Sequence, residues 1–375
     1  MNLPNRSTIC LALSILLAPM IVVTTAMAQS ELPTEVNLDE VVADALTYLK
    51  ETGQADDGSF SGFAGTGVTS LVATAMLRHG VPADDPSVAL ALEYLADAVQ
   101  SSGGIHADDS LYKNYETSLA LLCFAEANSN GQYDTLIADA ESFLKGGQWT
   151  EQRGIESEDG RYGGFGYGKH ERPDLSNVSF TIEALVDGAG NDADSEAIQR
   201  ALKFVTRSQN HESSHNSMPF AAKNPDGGFF YTPSGEGESK AGETANGGLR
   251  SYASMTYAGL KSMLYAGVDK DDTRVRAAVD WLSMNYDLKS NPGMGTDGLF
   301  YYYHVFAKAL NALGEDEFVD GEGVVHNWRA ELVEELASRQ LEDGSWVNEN
   351  ARWMEGDPNL VTGYALLALA YCQDQ

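Results

Sequence analysis

The chain has 375 residues, of which 55 are acidic and 24 are Lys or Arg, for a formal charge of −31. That balance excludes nucleic acid as a partner, because binding it depends on clustered Lys and Arg that neutralise phosphates; the acidity serves solubility. No stretch reaches the roughly 18 to 20 apolar residues that a membrane helix needs, so no membrane span is expected.

Residues 1–28 read as a secretory leader: Arg6, an apolar run from Cys10 to Val23, and the small-residue ending Ala26-Met27-Ala28. Cleavage near Ala28 would export residues 29–375, to the periplasm or beyond. Cys10 leaves with the leader. Cys123 and Cys372 each lie in an apolar run, where two buried thiols rather than a disulfide are expected.

From there the chain repeats one type of helix six times, with Leu, Val, Ala and an aromatic at 3.6 spacing opposite a charged face. The six are Leu38–Glu51, Pro86–Val99, Asp134–Lys145, Asp194–Arg207, Asp272–Asn285 and Asn327–Arg339. Asp85-Pro86, Asp134, Asp194 and Asp272 supply start signals. Alternating with these is a second type, apolar or small nearly all round: Val68–Arg78, Tyr115–Ala127, Val178–Val186, Tyr252–Ala266, Leu299–Leu313 and Leu360–Cys372. A helix without a charged face must be covered on all sides. The expected fold is therefore all-α, an (α/α)6 barrel in one domain, with the buried set inside and the amphipathic set outside. An open solenoid would leave the inner set exposed on one face.

Loop lengths orient the barrel. Connections from inner to outer helices are mostly short, as in His79-Gly80-Val81-Pro82, whereas residues 146–177, 209–251, 286–298 and 340–359 are long and rich in Gly and aromatics. These long loops share one end, the expected mouth.

A signature recurs in the loops, clearest as Gln340-Leu341-Glu342-Asp343-Gly344-Ser345-Trp346, again as Gln54 with Asp57-Gly58-Ser59-Phe60 and Gln209 with Asp226-Gly227-Gly228-Phe229, and more weakly at Gln100–Gly104. It resembles the Gln-Trp repeat of the squalene-hopene cyclases and the related repeats of protein prenyltransferase β subunits, across nearly the whole exported chain. The resemblance implies an α/α toroid. Physically, the Gln amide ties the end of one outer helix to its neighbour while the aromatic stacks beside it.

The chemistry of those families is not carried over. The cyclase Asp-x-Asp-Asp acid is matched only by Asp269-Lys270-Asp271-Asp272, in a short loop at the closed end, where Asp272 reads as a helix cap. The prenyltransferase zinc site is matched at Asp297, but Leu299 stands at its Cys position and Val361-Thr362 near its His, so no zinc is expected. No Asp-Asp-x-x-Asp diphosphate motif is present, and no metal or other cofactor is implied. His211 and His215, four apart, lie among Ser and Asn and read as non-ligands.

The candidate site falls on Leu299–Leu313 and the loops. Asp297, Tyr301, His304 and Lys308 follow i, i+4, i+7, i+11 and form one stripe, with Asp297, Tyr301 and His304 the candidate catalytic residues. A buried carboxylate, phenol, imidazole and amine in line are expensive unless hydrogen-bonded to each other, and such groups often have shifted pKa values. Candidate ligand-binding residues are Tyr303, Lys308, Tyr252, Tyr257 and Trp353, together with His170, Arg172, Asp174 and Asn177 of a Gly- and Tyr-rich segment that overhangs the mouth. Arg172 and Asp174 could pair with each other, and Glu116 and Glu183, both in inner helices, could form a carboxylate pair of glycosidase type, whose separation the sequence does not give. The main functional reading is an exported terpene-cyclase-like protein that binds or transforms an isoprenoid or other elongated ligand. The alternatives are a polysaccharide-processing or glycan-binding barrel, and a non-catalytic interaction scaffold.

Overall fold

A computed structural model describes residues 36–168, 172–193 and 195–373. The leader, His170 and Asp194 lie outside the described residues. Thirteen α-helices occur among the latter. The outer ones are α1 (Leu38–Tyr48), α3 (Pro86–Asp97), α5 (Asp134–Gly146), α7 (Glu196–Arg207), α10 (Thr273–Met284) and α12 (Trp328–Arg339). The inner ones are α2 (Gly67–Arg78), α4 (Lys113–Ala127), α6 (Leu175–Glu183), α9 (Ala253–Tyr265), α11 (Leu299–Leu313) and α13 (Pro358–Leu369); α8 (Pro219–Lys223) is a short helix within a mouth loop.

Burial separates the two sets as their sequences require. In α13 every residue from Asn359 to Leu369 is buried, whereas α5 buries only Ala140 and Leu144. Each inner helix packs on the next, α2 on α4, α4 on α6, α6 on α9, α9 on α11 and α11 on α13, and α13 returns to α2, closing the ring. The architecture is an (α/α)6 toroid. An open solenoid would lack the last contact.

The Gln repeat staples the outer ring. The Gln340 side-chain amide donates to the carbonyls of Val41 in α1 and Gly344 in its own loop, both at 2.9 Å. Gln54 reaches Ser87 at 2.7 Å, Gln148 reaches Ala197 at 2.8 Å and Gln209 reaches Arg274 at 2.8 Å, each in the first turn of the next outer helix. Gln340 thus joins the last outer helix to the first. Gln100, the weaker copy, bonds Ala98, His106 and Asp108 close by in sequence and spans no joint.

At Gly344 the backbone has φ +86°, and a Cβ there would lie 2.4 Å from the Asp44 carbonyl oxygen of α1. Only glycine fits that approach. The aromatic that follows is buried in each strong copy (Phe60, Phe229, Trp346), and its backbone N–H donates to a threonine of an inner helix, Thr69, Thr256 or Thr362. Both layers are therefore tied at the same loop.

Several local expectations are corrected. Asp134 does not cap α5: Tyr133 occupies the cap position without a side-chain bond, and Asp134 accepts from Asn128 instead. The connection from α11 to α12 is long and carries a hairpin, β1 (Phe318–Val319) paired with β2 (Val325–His326). His326 anchors it to α12 by bonding Asp320 and Glu331. Asp272 does cap α10, accepting from the Arg274 N–H at 2.8 Å. Cys123 and Cys372 are free thiols, and burial pushes both up to about 12. No helix among the described residues is long and apolar enough to cross a membrane.

Candidate functional site

All six inner helices begin at the end that carries the long loops, and each N-terminus leaves backbone N–H groups to be satisfied. Loops and neighbouring helices supply the acceptors. Glu116 accepts from the N–H groups of Thr66 (3.2 Å) and Ala107 (3.0 Å), and its other oxygen from Ser110. Asp174 caps α6 through the Asn177 N–H at 3.0 Å and also takes the Asn177 side-chain amide at 2.9 Å. Asn291 serves α9 through the Ser254 N–H. Glu355 accepts from the Tyr301 N–H at 2.8 Å, capping α11, whose own N-cap Gly298 has no side chain to do so. Asp357 caps α13. These carboxylates therefore have structural partners before any ligand is considered.

Between the N-termini lies a cavity of about 430 Å³, within the range typical of small-molecule sites. Seven tyrosines line it: Tyr112 and Tyr115 at the start of α4, Tyr167 and Tyr231 from the long loops, Tyr252 and Tyr301 at the starts of α9 and α11, and Tyr364 from the middle of α13. The hydroxyls meet pairwise at longer than usual separations, Tyr115 with Tyr364 at 3.3 Å and Tyr301 with Ser176 at 3.3 Å. Tyr231 lies beside the Asp174 carboxyl and interacts with it. Burial pushes Asp174 up to about 6, only partly countered by its bonds to Asn177 and by Tyr231.

Beneath the tyrosines the barrel axis is closed. Phe180 and Tyr364 stack on His304, with ring centres at 6.2 and 5.7 Å. Burial drives the His304 imidazole down to about 3, so it is neutral at ordinary pH, and its Nδ1 has no hydrogen-bond partner among the described residues. Below it Glu183 takes Lys261 on one oxygen (2.6 Å) and Lys308 on the other, and Lys308 also lies 3.2 Å from Asp187. Glu183, Lys261 and Lys308 are at most 3% exposed. Burial alone would raise the Glu183 carboxyl, but the two ammonium groups outweigh it and hold the carboxyl well below its ordinary range.

The helical stripe read from the sequence faces this axis: Tyr301 lines the cavity, His304 lies under it and Lys308 sits in the ion cluster. Asp297 lies at the rim, paired with Arg352 and bonded by Asn350. Tyr252 and Trp353 line the cavity. Asp174 and Asn177 stand behind its wall, buried and bonded to each other. Tyr303 turns away and donates to the Leu288 carbonyl at 2.7 Å. Tyr257 packs on Tyr302 and Phe306, away from the cavity. Arg172 pairs with Glu238 rather than with Asp174. Glu116 and Glu183 are engaged by separate partners, one at the mouth and one in the axis, and form no carboxylate pair. His170 lies outside the described residues. No group of three or more His, Cys, Asp or Glu among the described residues is placed to hold a metal.

One rim segment has unusual backbone. Trp353 (φ +55°) and Met354 (φ +66°) are consecutive left-handed residues, a conformation that costs a non-glycine residue roughly 1–2 kcal/mol. Trp353 is nonetheless 46% exposed, with the Arg352 guanidinium 4.3 Å from its ring centre. A larger hollow, about 640 Å³, lies between the start of α4 and the end of α5. Its one tryptophan, Trp149, is buried, and none of the stripe residues reaches it.

No family model and no curated protein sequence matches the chain. Solved structures do. A glycosyl hydrolase family 88 protein from Bacteroides vulgatus aligns with a TM-score of 0.54 at 11% identity, over 90% of this chain and 99% of that one. A polysaccharide lyase aligns at 0.52 and 11% identity over 89% and 96%, and a D-mannose isomerase at 0.54 and 14% over 91% and 98%. At such identities the likeness establishes the α/α toroid alone. A type II terpene cyclase from Scytonema reaches only 0.33 at 14% identity over 89% of this chain and 97% of that one, too low to carry an argument. The expected α/α toroid fold is supported, and the squalene-hopene cyclase family is not.

Proposed function

We propose that the protein is an exported saccharide-processing barrel, taking a sugar into the tyrosine-lined cavity and moving protons there through Asp174 and Tyr231. The observation that carries this reading is the convergence of seven tyrosines, Ser176 and Ser254 on one cavity. A saccharide hydroxyl both donates and accepts, so it can satisfy these groups, while the ring faces pack on the aromatics. An isoprenoid chain would offer these groups apolar contact only. Further support comes from the toroids above, three of which are named for action on sugars or polysaccharides. The leader-like residues 1–28 support export.

Asp174 lies behind the cavity wall and would act through Tyr231, which lines it; burial pushes the carboxyl up to about 6, where both protonation states are populated near neutrality. The test is a panel of polysaccharides and oligosaccharides incubated with wild type and Asp174→Asn, scored for binding and for new reducing or unsaturated ends. The proposal expects binding by both proteins and product from wild type only. Full turnover by Asp174→Asn would remove Asp174 from the chemistry, and neither binding nor product from any glycan would remove the saccharide reading.

A further inference from the structure

We infer that Trp353 is a second-unit platform: the ligand enters end first, its terminal unit fills the cavity, and the next unit stacks on the exposed indole at the rim. This rests on the saccharide reading and adds the form of the substrate, a chain end of two or more units rather than a free monosaccharide or the middle of a polymer.

Three observations meet here. The cavity is blind, because Phe180 forms part of its lining and His304, Glu183, Lys261 and Lys308 fill the axis below, all nearly inaccessible. A chain therefore has one way in, and whatever follows the terminal unit must leave across the rim. At that rim Trp353 lines the cavity while remaining 46% exposed; of the five tryptophans it is the exposed one, Trp328 and Trp346 being fully buried. Its position is held at the expense of backbone strain, φ +55° followed by +66° at Met354, of the kind that persists where surroundings impose it and that concentrates at ligand clamps.

The supports are specific to this segment. Arg352 lies over the indole and its guanidinium pairs with Asp297. Gly298, itself at φ +63°, leaves room for the ring: a Cβ on that glycine would sit 3.0 Å from Cε3 of Trp353. Asp297, the head of the inward stripe, is thereby a positioning residue for the platform.

A glycan array carrying each sugar as mono-, di- and tetrasaccharide tests this, with wild type, Trp353→Gly, Trp353→Phe and Tyr301→Phe. Wild type is expected to prefer di- over monosaccharide, and Trp353→Gly to lose that preference by on the order of tenfold, the scale of one stacked aromatic. Trp353→Phe should keep part of it, and Tyr301→Phe should weaken all lengths alike. Because glycine accepts positive φ, Trp353→Gly should also melt no lower than wild type, which a packing role for the indole would not allow. Wild-type binding with an unchanged length preference in Trp353→Gly, or a lowered melting temperature with equal losses for every length, would overturn the platform and leave the saccharide reading standing. No binding of any glycan by wild type would defeat the saccharide reading itself.

Discussion

Replacing Glu183 by Gln is the perturbation to which the barrel axis should be most sensitive. The substitution keeps the shape but removes the one charge shared by Lys261 and Lys308, both 1% exposed. Two buried ammonium groups would then face each other with only Asp187, 37% exposed, beside Lys308. Breaking a buried ion pair by removing one partner costs about 3–5 kcal/mol, because the remaining charge is left uncompensated. For a folded unit of 340 residues, an unfolding entropy of about 2.1 cal/mol/K per residue makes that a fall of about 4–7 °C in Tm. Calorimetry or urea unfolding at neutral pH reads it. Replacing all three residues together, Glu183→Leu with Lys261→Met and Lys308→Met, should recover much of the loss, since apolar groups of similar size often match a buried ion cluster in stability. A fall of less than about 1 kcal/mol for Glu183→Gln would refute the reasoning, because a surface pair costs no more than that.

Two further outcomes follow from the same structure. Gly344→Ala should destabilise more than Gly242→Ala: both glycines have φ near +80°, but a Cβ at Gly344 meets the α1 backbone at 2.4 Å while Gly242 faces open space. The shared cost is about 1–2 kcal/mol, and equal Tm changes would show that the ring-closing approach is not tight. His304→Phe should flatten the acid side of the stability profile. The imidazole is held to about 3 in the folded state by burial and returns to about 6.5 when unfolded, so the unfolded chain binds the extra proton between those values and wild-type stability falls as pH drops through that window. Between pH 7 and pH 5 wild type should lose about 2 kcal/mol that the Phe variant keeps; parallel profiles in chemical denaturation would contradict the buried, neutral imidazole.

Much of the fold is legible in the sequence because each inner helix lacks a charged face and each strong loop copy repeats Gln, Asp-Gly and an aromatic. Periodicity also orients α11, since residues at i, i+4, i+7 and i+11 share a face whatever they touch. It does less well one step away. Tyr303 adjoins His304 in sequence but sits about 100° around the helix, where it meets the Leu288 carbonyl. Tyr257 packs toward α11 instead of the cavity. The partners of Lys308 were open to inference, because Glu183 and Lys261 are isolated charges in otherwise apolar helices and buried charges must pair. Which of them meet depends on the ring order of α6, α9 and α11. Tyr112, Tyr115, Tyr167 and Tyr231 carry no periodic signal, since loops and helix starts bring them together. The strain at Trp353 is a backbone property that its residue type does not announce.

The central claim, that the tyrosine-lined cavity is a saccharide site, is tested most directly by a crystal structure of the protein with an oligosaccharide retained from the glycan screen. The account predicts a sugar ring among Tyr115, Tyr301 and Tyr364, with a second ring against Trp353. A sugar bound elsewhere on an empty barrel, or an apolar chain filling the cavity in its place, would contradict it.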